Sequence, residues 1–453
     1  MNSLDQYIEL YLEHCEAIDA HSAPVLNKKR QGALEELIGK HLPQKGEDGY
    51  EHTSIEEMFA PDRGVNINRV AIPADDSMAI RCEMPNVSPF TAYVVNDSFI
   101  GTKALDRLPN GLLFCSLKEA AEKYADLVEK YYGSLATTTD TPTALNTLLT
   151  QDGVFVYVPR GMKVEKPLQI LNVLNAVTPL LAVRRLLLIV EESASVQILS
   201  CDHNYPGAGE CLSSVVAEAF VGANAILDFC EMEETDRTTA RCSRLYLSQK
   251  DGSDVTVNGM TLSSGNTRND YDISIVGSGC KTMLSGMVIG SDHRKTDNSS
   301  RVRHLASRSD SRQLFKYVLD DYSTGSFEGN ISVTPRAPFT EAYQSNRNIL
   351  ASSNARMYTR PQLEIYNDDV KCSHGATTGQ LDTEAVFYMR TRGIPEKEAR
   401  VMLMQAFMTD VIDTVRIDGL RERLKMLVER RFASSSVACG DCQTTCKKPE
   451  DGK

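Results

Sequence analysis

No tryptophan occurs anywhere in the chain, which removes the indole face that sugar-binding grooves stack against. No apolar run reaches the roughly 18–20 residues that a membrane-spanning helix needs. Basic charge is in deficit: 49 Lys and Arg stand against 61 Asp and Glu, for a net charge of −12. Phosphate binding depends on clustered Lys and Arg, so general nucleic-acid binding is disfavoured. A G-x-x-x-x-G-K-[ST] loop is missing too, so the chain is not expected to hydrolyse ATP alone. The opening Met1-Asn2-Ser3-Leu4-Asp5 has no basic segment ahead of an apolar stretch. A secretory signal is therefore not expected, and a cytoplasmic protein is. What the sequence does have is cysteine, 12 in all. Cys15, Cys82, Cys115, Cys201, Cys211, Cys230, Cys242 and Cys280 follow no pairing rhythm, as expected of reduced, mostly buried thiols.

Helical periodicity opens the chain. Leu4, Tyr7, Ile8, Tyr11, Leu12, Cys15 and Ile18 recur at spacings of three and four, and Leu26, Ala33, Leu34, Leu37 and Ile38 follow. Pro43 and Lys45-Gly46-Glu47-Asp48-Gly49 end the pattern. One helix is predicted over 116–133 and a short one over Ala144–Leu149, so residues 1–150 read as a mostly helical region. From 151 to 378 the character changes to short β-prone runs such as Val154-Phe155-Val156-Tyr157-Val158 and Leu186-Leu187-Leu188-Ile189-Val190. Turn signals at Glu192-Ser193, Gly222-Ala223-Asn224, Asp251-Gly252-Ser253-Asp254 and Gly277-Ser278-Gly279 recur about every 25–30 residues, within the range of repeat architectures. Helix signals between them are nearly absent, which disfavours βαβ units. Short strands with small polar turns fit a stacked solenoid better than a pair of β-sandwiches. Helices return over 379–432, where Asp382 suits a cap, Gly393 a stop and Pro395 a new start. Residues 433–453 are too polar for a core and read as a flexible tail.

The segment Pro361-Gln362-Leu363-Glu364-Ile365-Tyr366 through Asp368-Asp369-Val370-Lys371-Cys372-Ser373-His374-Gly375-Ala376-Thr377 is the most informative. Cys372 and His374 lie two residues apart, so an extended strand projects both from one face. A thiol beside an imidazole suits a transition metal. The same pair also suits a half-buried Cys and a hydrogen-bonded His at a domain junction. In the tail, Cys439, Cys442 and Cys446 have C-x2-C-x3-C spacing. Three thiolates there would hold a metal with a fourth ligand from elsewhere, or simply give a flexible tail adventitious metal affinity.

The run from Pro361 to Thr377, continued by Phe387-Tyr388-Met389-Arg390-Thr391-Arg392-Gly393-Ile394, resembles the SufB/SufD family of iron–sulphur cluster assembly scaffold proteins. Phe327–Val333, Gln344–Leu350 and Val164–Leu168 are similar to that family as well, and Tyr50-Glu51-His52-Thr53-Ser54 resembles its "WKYT" in weakened form. The likeness is dense from 315 to 410, patchy from 150 to 315 and weak before 150. It implies a mainly β protein: a right-handed parallel β-helix core flanked by N-terminal and C-terminal α-helical regions, acting as a scaffold and not as an enzyme. SufB-like members carry a cysteine in a "QCDS" context and an acidic "EHEA". Here the cysteine position falls at Ser345 or Asn346, and Ser373-His374-Gly375 stands in the acidic stretch, so the chain resembles the D-type branch.

The resemblance also implies a site and partners. His374 would lie at an interface facing a cysteine of SufB, or of a second copy, with Asp368 or Asp369 orienting its ring. Cys372 beside it would ligate iron, relay sulphur or only line the junction. An iron–sulphur cluster or iron would be held there transiently. The C-terminal helices, with Phe387, Tyr388, Arg390, Arg392 and Phe407, would dock the SufC ATPase, which brings the nucleotide. A reading from another class is a β-helix enzyme acting on polysaccharide, with Asp320-Asp321 or Asp368-Asp369 as paired acids. The free thiols, the missing signal and the missing Trp stand against it.

Overall fold

The computed structural model describes residues 2–72, 87–136 and 140–433. Its centre is a coil of parallel strands with about 8 turns. One sheet holds β5 (Leu168–Leu174), β7 (Ser195–Asn204), β9 (Ile226–Glu234), β11 (Asp254–Ser263), β13 (Lys281–Gly290), β15 (Asp310–Leu319), β17 (Glu341–Leu350) and β19 (Lys371–Gln380). The facing sheet holds β4 (Val154–Val158), β6 (Leu180–Val190), β8 (Cys211–Val221), β10 (Ala240–Gln249), β12 (Asn266–Ile275), β14 (Lys295–His304), β16 (Thr324–Val333) and β18 (Arg356–Ile365). Successive strands alternate between the sheets, and each pairs in parallel with the strand two along, so the chain winds as a β-helix.

The turn signals lie at one corner of this coil. Ser193, Asn224, Gly252, Gly279, Arg308 and Phe339 stack there with φ of 57°, 56°, 66°, 71°, 60° and 59°. Each donates its backbone N–H to a carbonyl of the next turn, for example Asn224 to Asp251 (2.7 Å), Gly279 to Ser307 (3.0 Å) and Arg308 to Pro338 (3.0 Å). A left-handed non-glycine residue costs about 1–2 kcal/mol, and the stacked hydrogen bonds offset that cost. Beside them Gly277 is required for space: a Cβ there would sit 2.0 Å from the Asp251 nitrogen.

Side chains alternate in and out along each strand, which gives columns along the coil axis. One inward column runs Phe90, Leu168, Ile198, Phe229, Val257, Leu284, then Gln313, Gln344 and His374. The apolar part forms the continuous core. A second part of the interior is charged: Arg184 pairs with Asp202 (2.5 Å), and Arg241 with Glu231 (2.9 Å), beside a cavity of roughly 30 Å3.

The two ends differ. β1 (Phe90–Val95) adds to β5 in parallel, and β2 (Ser98–Gly101) folds back antiparallel on β1. β3 (Leu113–Ser116) folds back antiparallel on β4, and Leu105 and Leu108 pack on the core, so the first turn is plugged. At the far end β18 and β19 are the last strands, and no described strand pairs beyond them.

Helices cover the outer faces. α1 (Ser3–Ala20), α2 (Pro24–Asn27), α3 (Arg30–Leu37), α4 (Ile55–Phe59), α5 (Leu117–Lys123), α6 (Ala125–Tyr131) and α7 (Thr141–Leu149) precede the coil. Tyr7, Phe59 and Leu145 of this group pack on Leu181, Val183, Leu212 and Cys242 from the outer face of the β6–β10 sheet. α8 (Thr383–Thr391), α9 (Glu396–Ile412) and α10 (Asp418–Ala433) follow it and cover the other sheet, burying Met260, Met287 and Val318 against Met408, Val411 and Leu424. The helix predicted over 116–133 is two helices, broken at Tyr124 (φ −129°, ψ 47°). The region read as mostly helical also contributes β1–β3, whose apolar residues complete the first turn of the coil.

Candidate functional site

β19 is the last strand of its sheet, paired only with β17, and nearly all of its residues are exposed. His374 stands in register with Gln344, and Cys372 with Ala342. Both Gln344 and Ala342 are buried and point into the coil. His374 and Cys372 therefore occupy inward columns of a turn beyond which no described strand continues either sheet. Beneath His374 the column is polar: Gln344 donates to Gln313 (3.1 Å), and Ser300 donates to the same Gln313 oxygen (2.7 Å). The Gln344 side-chain Oε1 has no partner among the described residues.

Cys372 is half-buried against Ile331, Val333, Ala337 and Ala342. Burial pushes its thiol above the usual cysteine range, and a backbone hydrogen bond at Ala342 pulls it partly back. At neutral pH it is a thiol and not a thiolate. His374 makes no hydrogen bond to Asp368 or Asp369, contrary to the expected orientation. Those acids sit in the turn before β19, where the Asp369 carbonyl accepts from Phe339 (2.6 Å) and the Asp369 N–H donates to Asn367 (2.9 Å). Among the described residues no group of three or more His, Cys, Asp or Glu side chains is placed to hold a metal ion. Cys439, Cys442 and Cys446 lie outside the described residues.

The two alternatives for the missing cysteine position point to opposite faces of β17. Ser345 is outward and partly exposed; Asn346 is inward and fully buried, donating to the Phe315 carbonyl (3.3 Å). Nor do the acid pairs face each other across a groove. Asp320 and Asp321 shape a corner, with Asp321 accepting from the Asp292 N–H (3.0 Å) and Asp320 from the Asp321 N–H (2.9 Å).

The match to known proteins runs along almost the whole chain. Residues 173–407 match the family described as "SUF system FeS cluster assembly, SufBD core domain", and residues 1–170 match "SufBD protein N-terminal region". The chain belongs to the SufBD family. It is similar to an iron–sulfur cluster assembly SufBD family protein of Synechocystis sp., 27% identical over 418 residues, which is 90% of this chain and 91% of the relative. It is also similar to the iron–sulfur cluster assembly protein SufD of Bacillus subtilis, 25% identical over 346 residues (75% and 79%). The protein of that name from Escherichia coli is 33% identical over 165 residues, 36% of this chain and 39% of the relative.

A second surface of this SufBD chain lies on its C-terminal helices. Asp382 caps α8 by accepting from the N–H groups of Glu384 (2.9 Å) and Ala385 (3.1 Å). That helix presents Phe387 and Tyr388 at 67% and 59% exposure. Arg392 donates to the Tyr388 hydroxyl (3.1 Å) and lies over its ring, while Arg390 pairs with Glu396 (3.2 Å). Phe407, grouped with these by sequence, faces the other way. Its ring lies 4.6 Å from the Lys316 Nζ of β15, so it belongs to the contact with the coil and not to the outer patch.

Sequence reasoning missed the polar column of Gln313 and Gln344. Its signal is the run Ala342, Gln344, Asn346, Asn348, in which every second residue is small or polar. That pattern reads as inward only once the register of the coil is known. No helix among the described residues is long and apolar enough to cross a membrane.

Proposed function

We propose that this SufBD chain is a non-catalytic, D-type scaffold subunit of a cytoplasmic SUF iron–sulphur cluster assembly complex. It pairs with a SufB-type subunit through the uncapped turn and carries a SufC-type ATPase on its C-terminal helices. One observation carries the reading: His374 and Cys372 sit in inward columns of a turn left open to solvent. An imidazole built into an unfinished wall serves a purpose when a second surface completes that wall. The cluster is cargo here. His374 would supply one neutral nitrogen ligand from this side, and the partner would supply sulphur. Cys372 would join once bound iron displaces its proton. The printed names of the Bacillus and Escherichia relatives support the pathway. Exposed Phe387 and Tyr388, rimmed by Arg390 and Arg392, support protein docking on α8.

The test is a complex co-purified with SufB and SufC. His374→Ala is expected to leave the complex mass unchanged by native mass spectrometry and to lower bound iron and acid-labile sulphide about tenfold, the scale of losing part of a metal's ligand shell. Unchanged iron and sulphide would remove the assembly role of His374.

A further inference from the structure

We infer that Lys316 is a latch through which movement of the C-terminal helices reaches the strand carrying His374. The inference rests on the proposed function, because it names how the assembly site would sense the ATPase.

Lysine side chains rarely bury fully, yet that of Lys316 is 2% exposed on the outer face of β15. Its Nζ donates to the Phe407 carbonyl (2.7 Å) and to the Asp410 carboxylate (2.5 Å), and lies 4.6 Å from the Phe407 ring centroid. All three partners come from one turn of α9. A buried ammonium held by one helix cannot let go without losing every partner at once. The helix and β15 therefore move together or separate discretely.

The position of this contact gives it consequence. α9 packs on β13 and β15, Ile349 of β17 joins the same apolar contact, and β19 lies one strand further toward the open end. From β15 a line of side-chain hydrogen bonds continues outward. The Phe315 backbone carbonyl accepts from Asn346 (3.3 Å), Asn348 donates to the Asn346 side-chain Oδ1 (2.7 Å), and the Asn348 amide also donates to the Thr377 backbone carbonyl and the Thr378 hydroxyl (both 3.2 Å). These asparagines are buried, so their bonds tie β15, β17 and β19 beyond the ordinary sheet ladder. Thr377 is three residues from His374 on the same strand. Arg400 of α9 adds a second tie, donating to the Ala351 carbonyl just after β17 (2.9 Å).

The experiment uses the complex with SufB and SufC. Iodoacetamide labelling of half-buried Cys372 is followed by peptide mass spectrometry with and without ATP, and ATP turnover is measured alongside. With the wild-type chain the labelling rate is expected to change about fivefold or more on ATP addition, the lower range of coupled sites. With Lys316→Met, which keeps the side-chain length and removes the ammonium, the response per ATP hydrolysed is expected to fall below about twofold. A full response in Lys316→Met overturns the latch, and so does a wild-type complex whose Cys372 ignores ATP. Should Lys316→Met not fold, Asp410→Lys decides the matter, since Asp410 is 60% exposed and a second ammonium there repels that of Lys316 while sparing the core; a full response there overturns the latch equally. Failure of the subunits to assemble appears instead as a missing complex mass, and it defeats the proposed function together with the latch.

Discussion

Single residues in the charged interior set how the fold responds to acid and base. Glu233 faces inward, accepts from Thr267 (2.9 Å), and has its carboxyl pushed up from 4.5 to about 7. Burial is the main cause; Arg241 opposes it and Asp202 adds to it. The folded protein thus holds this proton more tightly than the unfolded chain. The contribution is full below pH 4.5 and is lost as pH rises to 7, a change of about 3 kcal/mol. His304 acts in the opposite sense. Burial lowers it from 6.5 to about 4, with its Nε2 2.8 Å from the Ser311 hydroxyl, so its contribution is full above pH 6.5 and is lost toward pH 4. Between about pH 4.5 and 6.5 the two slopes offset. Glu233→Gln is expected to raise stability at pH 8 by up to about 3 kcal/mol and to leave a bare loss below pH 6.5, read by urea titration at several pH values. A variant whose pH profile matched the wild type would contradict this. At this scale the shared strand face of His374 and Cys372 was legible, because they lie two residues apart on one extended run. Glu233, Gln313 and Gln344 were not. Their meaning comes from facing inward, and inwardness is a property of register.

Elements were legible where one local rule decides them. The corner residues Ser193, Asn224 and Gly279 lie inside the turn signals read from sequence, because a left-handed corner favours Gly, Asn or a small polar residue; Arg308 and Phe339 take the same conformation and gave no such signal. Asp382 was legible as a cap for the same kind of reason. Asp382→Ala is expected to cost α8 about 1 kcal/mol, seen as roughly fivefold faster amide exchange in its first turn; unchanged exchange would show that the cap carries no weight. Strands β1 and β3 were not legible, since each pairs across intervening helices, Phe90 with Leu168 and Cys115 with Phe155, and β2 forms only against β1. The loop over 44–54 was half legible. Its family-like segment is recognisable, but only the fold places Tyr50 under Arg268 (4.6 Å) with its hydroxyl accepting from Arg244 (2.6 Å), and His52 stacked on Tyr358 of β18 (3.7 Å). The loop therefore grips the last turn from outside, with Arg360 bonded to Glu51.

For the whole molecule, the sequence carried the order of layers: helices, coil, helices. Periodicity changes at each boundary, so this much needs no long-range information. Which end of the coil stays open was not legible, because closure depends on β2 and β3 folding back in space. The open end is where a partner is expected, so a charge placed there opposes docking without disturbing the core. Ala376 is inward on β19 and exposed. Ala376→Lys is expected to weaken pairing with SufB about tenfold or more by isothermal titration, with the melting temperature of the free chain unchanged. Undiminished pairing would place the interface elsewhere.

The plug formed by β2 and β3 has a consequence for stoichiometry. A coil with two raw ends is a monomer unit in the polymer sense: each added copy would present a fresh edge, and growth would run on into fibres. Blocking one end makes every docking event a terminating one. Under the proposed function, two such molecules, alike or different, would meet end to end, and the count would stop at a pair.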